Sequence, residues 1–248
     1  MSNKDNIKRI FLTGPPGSMW SSPDRIIRRL IRHIDQTDIN EDTVGMINIQ
    51  EPGQPLHLSP YINWGGKMGD WPLHIGDYDR AEIERVIDSY YDPVDPDPSR
   101  GTLLRIHKSH HWSYNLDHIK TLFPEACILV VTQEAWKCAV WWEHCGGHET
   151  KVGGYEAFDK DYEAIWREIN WVKAAVERWA DKENLKWFTP TLAELESRWG
   201  RTRKSTGPPE VEWDGIQTLL VPPDRGRNLS NTVKWAAYNP WKPDSEPS

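Results

Sequence analysis

The sequence predicts an α/β protein with a mostly parallel central sheet flanked by helices in three layers. Two observations carry that expectation. Short, continuously apolar runs recur along the chain, and amphipathic stretches of helical period lie between them. Ligands of such sheets gather at the carboxyl ends of the strands.

The first run, Arg9-Ile10-Phe11-Leu12-Thr13, is apolar at its centre and stops at Gly14, as a strand buried on both faces does. Ser22 as N-cap and Pro23 at the first helical position then open a helix whose Ile26, Ile27, Leu30, Ile31 and Ile34 form one stripe. Residues 44–49 read as a strand, and 51–79 as a Gly/Pro/Trp-rich insertion without helical period, suited to a substrate loop. A helix over 80–90 and a turn-rich Asp-Pro linker over 92–98 follow. The alternation resumes with a strand at 102–106, a helix at 116–123, a strand at 128–132 and a helix at 134–144. Residues 158–181 read as one long helix that buries Tyr162, Ile165, Ile169, Val172, Val176 and Trp179. A strand at 185–188, a short helix at 191–199 and an extended, Pro-rich tail over 201–248 complete a single domain spanning 1–248.

Composition narrows the function classes. A net charge of -7 argues against nucleic acid as partner, because duplex binding relies on a basic face. Three cysteines, Cys127, Cys138 and Cys145, are too few for a disulfide framework and suit a reducing compartment. No apolar run reaches the roughly 18 residues of a membrane span, and the first eight residues are polar, so a cytoplasmic location is expected. The 15 tryptophans serve mainly as core, although such rings also stack on flat ligands.

The loop after the first strand, Gly14-Pro15-Pro16-Gly17-Ser18-Met19-Trp20, is the first candidate site. A strand-loop-helix unit exposes backbone N–H groups that attract phosphate oxygens. Pro15 and Pro16 have none, so the expected donors are Gly17, Ser18, Met19 and Trp20, with the hydroxyls of Ser18, Ser21 and Ser22 beside them. No lysine lies in the loop, so the P-loop consensus is not met; a Gly/Pro turn that binds nothing is the competing account.

The second candidate is His107-Lys108-Ser109-His110-His111, at the end of the strand expected over 102–106. A histidine there can deprotonate a hydroxyl, and a lysine can offset charge on a leaving phosphate. Solvated histidines at a polar strand end are the alternative. Cys138, His144, Cys145 and His148 are residue types that suit zinc, but Cys138 and His144 share no helical face and the paired C-x2-C spacing is missing. No metal is expected.

Taken together, the loop motif Thr13-Gly14-Pro15-Pro16-Gly17-Ser18-Met19-Trp20, the Lys108-Ser109-His110 triplet and the strand-helix stretch from Val130 to Trp142 resemble the 3′-phosphoadenosine 5′-phosphosulfate (PAPS)-dependent sulfotransferases, over roughly residues 9–200. The resemblance implies a P-loop-like nucleotide-binding architecture, with PAPS as co-substrate and 3′-phosphoadenosine 5′-phosphate (PAP) as product. It makes His110 the base and Lys108 its motif partner, and assigns Gly17, Ser18, Met19, Trp20 and Ser21 to the nucleotide. Arg225 and Arg227 loosely echo the family's late basic loop. Departures are equally specific. The family's loop lysine falls on Pro15, its 3′-phosphate arginine on Thr132 and its serine on Val140 or Trp141. The acceptor implied is a hydroxyl on a small molecule or glycan, stacked on Tyr61, Trp64, Trp71 and Tyr78 of the insertion. A non-catalytic nucleotide- or protein-binding descendant, and less readily a small-molecule kinase, are the alternatives.

Overall fold

The computed structural model describes residues 7–19, 75–88, 103–144, 162–188 and 233–241. These hold strands β1 (Ile7–Thr13), β2 (Leu103–Lys108), β3 (Cys127–Thr132) and β4 (Lys234–Tyr238). They also hold helices α1 (Arg80–Asp88), α2 (Leu116–Leu122), α3 (Ala135–His144) and α4 (Tyr162–Lys182), with a 3-10 turn at His110–Tyr114. The stretches expected to be a helix after Ser22, a strand at 44–49, a linker at 92–98 and a helix at 191–199 lie outside the described residues.

The strands form one mixed sheet in the order β2-β1-β3-β4. β1 runs parallel to both β2 and β3, and β4 is antiparallel to β3. The chain is therefore α/β, with a mostly parallel sheet. Side chains alternate across it as strand period dictates. Phe11, Ile128, Val130 and Ala236 face one way, into a core completed by Ile83 and Ile87 of α1, Leu116 and Ile119 of α2, and Val172, Val176 and Trp179 of α4. Ile10, Leu12, Ile106, Leu129 and Val131 face the other way and are equally buried. Two-sided burial is why these strands read as continuous apolar runs rather than as alternating ones. Each such isoleucine or leucine withdrawn from water contributes about 1.5–3 kcal/mol.

Local signals set the helix limits. Asp79 and Glu82 form a reciprocal capping box at the start of α1: the Glu82 N–H donates to Asp79 Oδ1 at 2.9 Å, and the Asp79 N–H to Glu82 Oε2 at 2.8 Å. At its other end, Asp88 holds two buried guanidiniums. Arg9 grips it with both nitrogens, at 2.8 and 3.1 Å, and Arg105, the register partner of Arg9, donates to it at 2.9 Å.

Two expectations are corrected at the C-terminal side of the sheet. The strand expected at 185–188 is a single antiparallel bridge, Phe188 to Trp235. The reason is how α4 ends: Asn184 takes the left-handed conformation at φ 52°, and the Leu185 N–H donates back to Ala180 O at 2.9 Å. That Schellman-type closure uses the donor a ladder needs. Conversely, the tail does more than extend over the body. Residues Lys234–Tyr238 enter the sheet beside β3, from Thr132↔Lys234 to Ile128↔Tyr238. Trp241 Nε1 then donates to Glu125 O at 2.7 Å, holding the strand's exit. Among the described residues no helix is long and apolar enough to cross a membrane.

The sheet order places a reversal at β1. The chain leaves β1 for β2 on one side and then steps across to β3 on the other. The carboxyl ends of β1 and β3 are thus a topological switch point, where open α/β sheets leave a crevice.

Candidate functional site

Residues 14–19 leave β1 at that switch point. Pro15-Pro16-Gly17-Ser18 closes a turn through a bond from the Ser18 N–H to Pro15 O at 3.0 Å, with Gly17 at φ 74°. Proline second and a positive-φ glycine third is the type II pattern. Both glycines are required by close approach. A Cβ on Gly14 would lie 2.4 Å from Val131 O, and one on Gly17 would lie 1.9 Å from Cys138 O. The loop therefore sits directly on β3 and α3, and Gln133 Nε2 clamps it by donating to Gly17 O at 2.7 Å. Met19 also takes a positive φ, 62°.

This geometry revises the row of backbone donors expected from Gly17 onward, because the Ser18 N–H is spent inside the turn. Its hydroxyl is different. Ser18 Oγ is fully buried and, among the described residues, has no hydrogen-bond partner. Such a group is costly unless something meets it. Trp20, Ser21, Arg225 and Arg227 lie outside the described residues.

The His110–Tyr114 turn is bolted to the same loop. The Ser109 N–H donates to Leu12 O at 3.2 Å, the Thr13 and Ser113 hydroxyls are 2.7 Å apart, and His110 Nδ1 lies 2.7 Å from Gly14 O. Three consecutive residues of the β1 exit thus engage the residues after β2. Ser109 Oγ accepts from the His111 N–H at 3.2 Å, and Asn115 Nδ2 donates to His111 O at 3.1 Å, so the turn is fixed at both ends. A carbonyl has no proton to give, so the contact with Gly14 places a proton on Nδ1 of His110. In the neutral ring that leaves Nε2 as the nitrogen able to take up a proton.

The five-residue His/Lys segment does not act as one cluster. β2 continues through Lys108, two residues beyond its expected end, which puts His107 inside the strand. His107 faces the core side: its ring lies 5.4 Å from that of Phe11, and Arg9 Nη1 donates to its Nε2 at 3.3 Å. Lys108 and His110 stay at the strand end, both buried. Of the aromatic residues expected to hold an acceptor, Tyr78 is partly buried against the main core, and its carbonyl accepts from His118 Nε2 at 2.8 Å. Tyr61, Trp64 and Trp71 lie outside the described residues.

Thr132, at the position where the resemblance calls for arginine, donates to Glu177 Oε1 of α4 at 3.3 Å, and Lys173 pairs with the same carboxylate. Cys138 is buried beneath the loop, and burial pushes its thiol up to about 12, with the hydrogen bond to Gln133 pulling partly the other way. Burial also raises the Cys127 thiol; both are unpaired. Glu168 of α4 accepts from the Tyr114 hydroxyl at 3.2 Å. Burial pushes its carboxyl up to about 7, the tyrosine bond opposing that shift, and burial followed by the nearby carboxylate raises the Tyr114 hydroxyl above its ordinary range.

Comparison with protein-family models, curated proteins and solved structures found no match.

Ser113, Tyr114 and Glu168 belong to this neighbourhood without being candidates in the sequence, and Thr13 and Gln133 fall inside the stretches that carry the resemblance but have no role assigned there. Glu168 did leave a signal. It falls three residues after Ile165 and beside Ile169, inside the apolar stripe of α4, where a carboxylate has no place without a partner.

Proposed function

We propose that the protein is a sulfotransferase of P-loop-like, three-layer architecture, which moves a sulfuryl group from PAPS to an acceptor hydroxyl on a small molecule or glycan. The observation that carries this reading is the 2.7 Å contact of His110 Nδ1 with Gly14 O. It joins the loop motif to the Lys108-Ser109-His110 triplet, two of the three stretches that carry the family resemblance, and puts the Nδ1 proton where a base acting through Nε2 requires it. In the reaction, His110 Nε2 takes the proton of the acceptor hydroxyl. The hydroxyl oxygen bonds to sulfur as the bond from sulfur to the phosphate oxygen breaks, and PAP leaves. Lys108, buried at the same strand end, offsets the charge that builds on the leaving phosphate. The buried Ser18 hydroxyl fits a phosphate oxygen as its missing partner, and the family resemblance assigns the remaining nucleotide contacts to Trp20, Ser21, Arg225 and Arg227. A reducing, cytoplasmic setting accords with the free thiols of Cys127 and Cys138.

Titration with PAP, with ATP and AMP as controls, tests the reading by calorimetry or thermal shift. Saturable binding of the bisphosphate alone supports it, and His110→Ala should then abolish transfer of labelled sulfate while leaving PAP affinity within about threefold. Binding of none of the three nucleotides would replace it with a second reading, a non-catalytic protein that keeps the fold. Pro15 in place of a lysine and Thr132 engaged by Glu177 favour that second reading. Binding of ATP alone would point to phosphoryl transfer.

A further inference from the structure

Glu168 is a residue at 4 % exposure in the apolar stripe of α4, and the one hydrogen bond its carboxyl makes among the described residues comes from the Tyr114 hydroxyl. Tyr114 is the last residue of the turn that begins at His110. The rest of that turn is tied to the β1 exit through Ser109, His110 and Ser113. The tether from α4 therefore ends on the same five-residue unit that sets the His110 ring. We infer that Glu168 is a positioning residue for this turn, acting through Tyr114 and responding to the gain and loss of its own carboxyl proton.

The chemistry gives a direction. A buried carboxylate needs two or three donors to replace water, and Tyr114 supplies one. The neutral carboxyl is satisfied by far less. Protonation thus favours the packed turn, and ionisation favours excursions in which Tyr114 lets go and the carboxylate reaches solvent. Neighbouring charges do not reverse this. The turn presents His110, whose Nδ1 meets Gly14 O, and His111, whose backbone N–H and carbonyl engage Ser109 and Asn115. α2 presents Asp117, engaged by Trp179 Nε1 at 3.2 Å and Lys182 Nζ at 2.7 Å, about three helical turns away along α4. β3 presents Thr132, bonded to Glu177, and Cys138 of α3 lies within electrostatic reach of the Lys173 and Glu177 pair, on the opposite flank of α4 from Glu168. The carboxyl is held near 7 against an ordinary 4.5. If opening of the turn restores the ordinary value, the opening equilibrium rises about tenfold between pH 6 and pH 8.

Amide hydrogen exchange across residues 109–115 of the intact chain, corrected for intrinsic exchange rates, reads this directly. No nucleotide or acceptor is needed, so the result is independent of the transferase reading. The expected result is protection about tenfold lower at pH 8 than at pH 6, and no such difference in Glu168→Gln, which keeps an acceptor for Tyr114 but cannot ionise. Titration of the Glu168 carboxyl carbon by NMR adds a second measurement: Tyr114→Phe should move its midpoint upward, because the donor that steadies the carboxylate is gone. Equal protection at the two pH values, a pH dependence that survives in Glu168→Gln, or an unmoved midpoint in Tyr114→Phe would overturn the inference.

Discussion

Gly17 rests on the carbonyl of Cys138, so close that a side chain there would place its Cβ 1.9 Å from that oxygen. The contact welds the loop after β1 to α3, and Gly17 adds a φ of 74° that other residues adopt at a cost. Gly17→Ala should therefore destabilise the protein by at least about 2 kcal/mol, read as a lower urea midpoint at unchanged slope. A neutral substitution would mean that the loop does not pack on α3 as described.

Asp88 is the shared partner of Arg9 and Arg105, each about 5–6 % exposed. Removing its charge takes a shared carboxylate from two buried guanidiniums that lie side by side across a parallel strand pair. Asp88→Asn should cost about 3 kcal/mol, and the loss should shrink when Arg105→Met is added, since only one of the two ion pairs is then there to lose. Equilibrium denaturation of the two single variants and the double variant gives the coupling.

Stability should also depend on pH through Glu168. Its folded value near 7 exceeds the ordinary 4.5, so between those values the folded chain holds a proton that the unfolded chain releases. The contribution is complete below about pH 4.5 and is lost as pH rises through 7, a swing of about 3 kcal/mol. The difference in unfolding free energy between the wild type and Glu168→Gln, measured at pH 5 and pH 8, should move in the variant's favour by that order. A difference that is constant with pH would rule out a perturbed carboxyl.

The thiols of Cys127 and Cys138 are buried and held far from ionisation at neutral pH. Alkylation followed by mass spectrometry should leave both unmodified in the native chain at pH 8 and modify both in denaturant. Rapid native labelling of Cys138 would place it outside the contact with Gly17.

What the sequence disclosed and what it withheld divide along the range of the interactions. β1, β3, α2 and α3 follow from local runs and stripes, and their limits fall within a residue or two of the expected ones. β2 outran its expected end because Phe11 and Leu12, nearly a hundred residues earlier, pair with His107 and Lys108 and draw them into the ladder. The strand expected at 185–188 failed for a nearby reason, the left-handed Asn184 that closes α4. β4 was not visible, because Lys-Trp-Ala-Ala-Tyr becomes a strand only by meeting β3. At the site, the Lys108-Ser109-His110 triplet and the glycines were legible. The bonds that fix them, Gly14 O to His110 and Gln133 to Gly17, join separate strand ends and leave no local motif.

The late arrival of β4 has a consequence for synthesis. β3 reads Cys-Ile-Leu-Val-Val-Thr, with no charge and no proline, and its outer edge is paired by residues about a hundred positions further on. At roughly 5–20 residues per second, a growing chain leaves that edge unpaired for roughly 5–20 seconds. An uncharged, β-branched edge held open for that long is an invitation to mispairing with a neighbouring nascent chain. The demand for chaperone protection should accordingly fall on this interval rather than on the finished molecule.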